Sequence, residues 1–74
     1  MNIERARYII VRRKDCAVMC GTMKKTEFVQ PEMIDNRIVR LYRSADTALA
    51  AARMSGCNEN EVRAEMVLEK ISTV

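Results

Sequence analysis

The 74-residue chain contains no histidine and no tryptophan, a single proline, two glycines and one phenylalanine. Without histidine it lacks the commonest general base and the commonest metal ligand. The only glycines, Gly21 and Gly56, are too far apart to form a phosphate-cradling loop. Cysteines stand at 16, 20 and 57, so no Cys-x-x-Cys pair offers zinc-ligand spacing. On an extended strand Cys16 and Cys20 lie roughly 13 Å apart, beyond disulfide reach. Three buried, reduced thiols acting as small apolar side chains are the expectation. No stretch approaches the roughly 20 apolar residues that span a bilayer, and Met1-Asn2-Ile3-Glu4-Arg5 leads straight into a strand pattern rather than a signal peptide. The expectation is a cytoplasmic protein with no membrane, metal or cofactor. The carboxylates are dispersed and no nucleophile has a base beside it, so catalysis is not expected.

What the chain does have is apolar sequence, at 49% of residues, and six methionines. That suffices for one domain, residues 1–74, near the lower size limit for a core without metal or disulfides. Its charge is uneven. Residues 1–43 carry ten Lys/Arg against five Asp/Glu, and residues 44–74 carry three against five. The first part is therefore basic and the second acidic, a polarity that could steer an acidic partner.

Arg7 to Arg13 alternates as a strand, Lys14-Asp15 suits a tight turn, and Cys16 to Cys20 returns. Cys16 stands where a glycine would make the turn type clear. Thr22 to Asn36 reads as a polar, irregular loop anchored by Phe28, Val29, Met33 and Ile34, and Gln30-Pro31 forbids a helix across that junction. Arg37 to Arg43 reads as a third strand. Ser44 is a good helix N-cap, Asp46 suits the first turn, and Ala45, Ala48, Leu49 and Ala52 form a helical stripe ended by Gly56. The last segment fits two patterns. As a strand, Val62, Ala64, Met66 and Leu68 alternate with Arg63, Glu65, Val67 and Glu69. As a helix, Asn58 and Glu61 form a cap and Ala64, Val67, Leu68 and Ile71 a stripe. The alternation, unbroken over seven residues, favours the strand. The expected fold class is α+β: a small, mainly antiparallel sheet, ββ-loop-βαβ, with one helix on one face.

Side chains on a strand alternate between faces. Ile9 with Val11, and Val39 with Leu41, are flanked by arginines and make a natural floor for the helix. The opposite face would then carry Tyr8, Ile10, Arg12, Ile38, Arg40 and Tyr42, a mixture enriched at interfaces. One short helix cannot cover both faces, which leaves this surface for a partner. A homodimer through the same surface is one alternative. Nucleic-acid binding is another, using the basic hairpin around Arg12, Arg13 and Lys14 with Arg5, Arg7, Lys24 and Lys25 on phosphates and the tyrosines on bases.

The Tyr8-Ile9-Ile10-Val11 strand, the Asp15-to-Gly21 return, Ile38 to Ser44 running into an alanine-rich helix and the closing strand together resemble small orphan proteins of bacteriophages and prophages. The resemblance implies a mobile-element setting, in which such proteins inhibit host machinery, including defence nucleases of the CRISPR type. It carries over no catalytic or binding residues, and the positive charge departs from the acidic nucleic-acid-mimic type of inhibitor. The function expected is non-enzymatic: a binding protein that inhibits or modulates a host protein by steric occlusion through an exposed sheet face. On this reading Tyr42→Ala or Arg40→Glu removes partner binding and changes thermal stability little.

Overall fold

The computed structural model describes residues 2–22, 24–34 and 38–72. Strands β1 (Asn2–Arg12), β2 (Val18–Gly21), β3 (Thr26–Val29) and β4 (Val62–Ser72) form one antiparallel sheet in the order β3-β2-β1-β4, and helix α1 (Ala45–Met54) packs on one face. The fold class is the α+β arrangement expected, and the C-terminal segment is a strand. It is longer than its alternation suggested, pairing with β1 over eleven residues from Asn2↔Ser72 to Arg12↔Val62.

Local chemistry accounts for the turns. The Cys16 N–H bonds the Arg12 carbonyl at 2.8 Å, and Cys16 holds φ 60° where glycine would normally stand. The Asp15 carboxylate braces this turn by accepting from the Ala17 N–H at 3.2 Å. The Ser44 hydroxyl accepts from the Thr47 N–H at 3.1 Å and caps α1. At the other end the Gly56 N–H bonds the Arg53 carbonyl and the Cys57 N–H bonds that of Ala52, the paired bonds of a Schellman stop.

Two elements differ from the sequence reading. Thr26–Val29, expected within an irregular loop, is a short strand paired with β2. The expected strand from 37 to 43 is no continuous strand; Arg37 lies outside the described residues. It bridges β2 at Val39 and β1 at Tyr42, with the Gly21 N–H on the Ile38 carbonyl at 2.7 Å. Beside the hairpin turn β1 and β2 pair at Val11↔Val18, and beyond it the 38–42 segment fills the space between them. Each half of that segment bonds a different neighbour, so no ladder builds on either side.

The helix lies on the face opposite to the one expected. Ile10 and Met19 from the sheet meet Ala48 and Ala52 from the helix, with Val62 sealing the end, and Tyr8, Phe28, Tyr42, Leu49 and Ala64 pack around them. Ile10 is wholly buried. β1 has apolar residues on both faces, so β4 breaks the tie. Its even positions near the helix are the small Val62 and Ala64. Its odd positions include Arg63, Glu65 and Glu69, which could be buried only at high cost. Those charges pair in solvent instead, Arg5 with Glu69 at 2.6 Å and Arg63 with Glu65 at 3.3 Å.

The second face is not bare either. Val11, Val18 and Cys20 are buried there, and Pro31 and Ile34 lie over Ile9, Val11 and Val18 across a shallow depression of about 450 Å³. A connecting segment with a single 3-10 turn, Pro31–Met33, rather than a second α-helix, supplies the missing cover. Of the expected loop anchors, Phe28 reaches the core while Met33 is exposed. Of the cysteines only Cys20 is buried; Cys57 is half-buried and Cys16 exposed, because the turn directs it outward.

Gly21 and Gly56 both hold φ 90°, but a Cβ on Gly21 would overlap the Lys25 carbonyl oxygen whereas one on Gly56 meets nothing. Gly56→Ala is expected to cost about 1–2 kcal/mol of backbone strain. Gly21→Ala is expected to cost clearly more, read as a larger fall in urea midpoint.

Candidate functional site

β1 and β4 run side by side for eleven residues, roughly 36 Å, while ten-residue α1 is about 15 Å long. The helix covers the Ile10–Ala64 end of this ribbon and leaves the far end uncovered. The molecule is accordingly elongated, 40 × 26 × 23 Å, with a radius of gyration of 12.5 Å, against about 11 Å for a compact chain of this length. On the helix side of the uncovered end lie Ala6, Met66 and Leu68, with Glu4 opposite Lys70. Met66 is 56% exposed and Leu68 58%.

The backbone there is equally open. Tyr8 and Tyr42 exchange N–H to carbonyl bonds at 2.8 and 2.9 Å, so the amide groups of Tyr8 point away from β4. Orientation alternates along a strand, so Arg7 and Ile9 bond β4 through Val67 and Glu65. The amide groups of Ala64, Met66 and Leu68 therefore point outward, at the sheet's edge. They have no backbone partner among the described residues. Only the end of this edge is closed, where Arg13 Nε donates to the Val62 carbonyl at 3.3 Å. An open row of donors and acceptors beside exposed apolar side chains suits strand addition.

The residues expected to form the binding face are dispersed instead. Ile10 is sealed in the core, and Tyr8 and Tyr42 are half-buried against it. Arg40 is 9% exposed and donates to the Thr26 hydroxyl at 3.0 Å and the Ser55 hydroxyl at 3.2 Å, with its guanidinium 5.8 Å from the Tyr42 ring centre. It ties β3 to the end of α1. Ile38 is exposed but stands apart from the others expected beside it. The face expected to bind a partner is thus largely the floor beneath the helix, and this corrects the sequence reading. Met66 and Leu68, which that reading did not place at a binding site, stood in it as members of an alternating strand, Leu68 also in the alternative helical stripe.

The hairpin keeps part of its expected character. Arg12, Arg13 and Lys14 line an open depression of about 500 Å³ with Asn60 and Glu61. Arg12 is not available there as a free charge. Its guanidinium grips Asp15 through two bonds at 3.0 and 2.7 Å and stacks 4.9 Å over the Phe28 ring. Those bonds, helped by the Ala17 amide and by the charges of Arg12 and Lys14, hold the Asp15 carboxyl at about 2. Glu69 is likewise lowered, first by its hydrogen bond from Arg5 and then by the charges of Arg5 and Arg7. Arg5, Arg7 and Arg12 thus each spend charge on an acid within the chain.

No group of three or more potential metal ligands exists among the described residues, and no helix among them is long and apolar enough to cross a membrane. No protein-family model, curated protein or solved structure matches the chain.

Arg40→Ala is expected to destabilise the fold by about 1–3 kcal/mol, since it removes the buried guanidinium that bonds the half-buried Thr26 and Ser55 hydroxyls and ties β3 to α1; chemical denaturation measures this. Asp15 titrates lower in the folded chain than its ordinary 3.8. Its stabilisation is therefore present above that pH and lost as pH falls through about 2. Thermal melts between pH 5 and 2 should show a shallower pH dependence for Asp15→Asn than for the wild type.

Proposed function

We propose that the chain is a non-catalytic binding protein whose docking element is the outer edge of β4. The observation that carries this reading is the coincidence of outward amide groups at Ala64, Met66 and Leu68 with the exposed Met66 and Leu68 side chains. An extended segment of another protein would gain affinity from the backbone row and selectivity from the two apolar side chains. The partner class is thus a protein presenting an unpaired strand. Inhibition or modulation of a host protein, the role implied by the resemblance to small phage proteins, would follow by occlusion. The helix and hairpin of this chain would cover whatever lies next to the added strand.

Nucleic acid is supported less well. Three of the seven basic residues in that reading already face acids in the chain, and both tyrosines are half-buried beside the core. Lys14, Lys24 and Lys25 remain exposed. Dispersed lysines contribute salt-sensitive affinity rather than a defined site.

Two variants separate these surfaces. Leu68→Lys charges the edge, a substitution that natural edge strands tolerate. Lys14→Glu alters the hairpin alone. Proteins retained from a bacterial lysate by the immobilised wild type should be lost with Leu68→Lys and kept with Lys14→Glu, while both variants keep the wild-type circular dichroism. Loss with Lys14→Glu alone would move the site to the hairpin, and a steep fall in retained nucleic acid with salt would restore the phosphate-binding reading.

A further inference from the structure

We infer that the strand received by the β4 edge is the β4 of a second copy of this chain, paired antiparallel about a two-fold axis at Met66. The inference rests on the reading of that edge as the docking element and names its occupant. Hydrogen-bond geometry narrows the registers. An added strand must set outward-facing residues against outward-facing ones, which on β4 are the even positions. Two-fold axes at Glu65, Met66, Val67 and Leu68 are the central choices, and charge separates them. An axis at Glu65 sets that carboxylate against itself. An axis at Val67 sets Glu65 against Glu69 twice. An axis at Leu68 places Met66 against Lys70 and Val67 against Glu69, burying apolar groups beside charges.

The axis at Met66 sets no like charges opposite one another and, alone of the four, sets opposite charges face to face, although it too places one carboxylate beside a valine. Met66 faces its own copy, Ala64 faces Leu68, and Glu65 faces Val67. Arg63, which within the chain reaches Glu65 at 3.3 Å, faces Glu69 of the second copy. Glu69 within its own chain lies 2.6 Å from Arg5 and 3.7 Å from Arg7, so the opposite charges extend existing ion pairs across the seam and symmetry repeats them. The Arg63 and Glu69 positions fall at a pair that exchanges no backbone bonds, where cross-strand side chains approach most closely. Outward, the ladder ends at Val62, whose carbonyl is already taken by Arg13 Nε at 3.3 Å. Arg13 thus limits the pairing to the central residues and stops a third chain from slipping along the edge. Leu68, exposed in one chain, comes to rest beside Ala64 at the foot of the other chain's helix. The product is a continuous sheet with both helices on one side.

Charge exchange tests both the dimer and its register. Arg63→Glu and Glu69→Lys each turn two attractive pairs into two repulsive ones and should each weaken self-association about tenfold, measured by sedimentation equilibrium. Mixed together they regain both attractive pairs, so the mixture should form a heterodimer of near wild-type affinity. Circular dichroism checks that Glu69→Lys, which also loses its contacts to Arg5 and Arg7, remains folded. Should it unfold, cross-linking takes its place. In the proposed register the Met66 Cα atoms lie about 5.5 Å apart, inside disulfide range. On a Cys16→Ser, Cys57→Ala background, Met66→Cys should therefore form a disulfide dimer with oxidised glutathione and Leu68→Cys should not. A chain that stays monomeric up to its solubility limit, a mixture that fails to recover association, or faster cross-linking at position 68 overturns the inference. If the chain is monomeric while Leu68→Lys still loses retained proteins, the docking edge stands and only its occupant is wrong. If Leu68→Lys loses nothing, the edge itself is wrong.

Discussion

The antiparallel pairing of β1 with β4 is the interaction on which the remaining structure depends. β1 is close to symmetric between its faces, Tyr8 and Ile10 on one and Ile9 and Val11 on the other. β4 is not. Locking Ile10 opposite Ala64 and Ile9 opposite Glu65 couples the indifferent strand to the decided one. The charged positions must then face water, and the small positions Val62 and Ala64 receive the alanines of α1. A helix with only Ala48 and Ala52 fully buried completes the core because Ile10 and Met19 of the sheet supply its larger side chains.

The same pairing produces the open edge. Eleven paired residues outrun a ten-residue helix because a strand rises more than twice as far per residue. An uncovered ribbon end follows from that difference in rise, whatever the side chains. The side chains decide how sticky it is, and Met66 and Leu68 leave it apolar on the helix side. Natural edges are usually blunted by charge, proline or bulges. Here Arg13 caps one position and Arg63, Glu65, Glu69 and Lys70 place charge along the strand, so that the edge is apolar only on the helix side, at Met66 and Leu68.

A loop performs the task for which the sequence offered no helix. Pro31 and Ile34 shield Val11 and Val18, and Arg40 anchors β3 to the helix terminus from inside. Arg40 illustrates why composition misleads about interfaces. Tyrosine, isoleucine and arginine together are enriched at binding surfaces, yet the same three types build a small core whose one buried guanidinium is satisfied by hydroxyls and a ring face.

Elements whose signals are local were legible in the chain itself. The Ser44 cap, the alanine stripe and Gly56 delimit α1; alternation over Val62–Leu68 identifies a strand; the Lys14-Asp15 region turns the hairpin, with Cys16 in the position a glycine would fill. These depend on neighbours a few residues away, so sequence alone determined them, and with them the α+β class. Which face of β1 lies under the helix, where 38–42 inserts, and which edge stays unpaired were decided only in the tertiary structure. Each of these depends on pairing between segments distant in sequence, Cys20 with Val39 and Tyr8 with Tyr42 for the insertion and β1 with β4 for the rest, and a shift of one residue in the register of β1 and β4 exchanges every buried side chain for an exposed one.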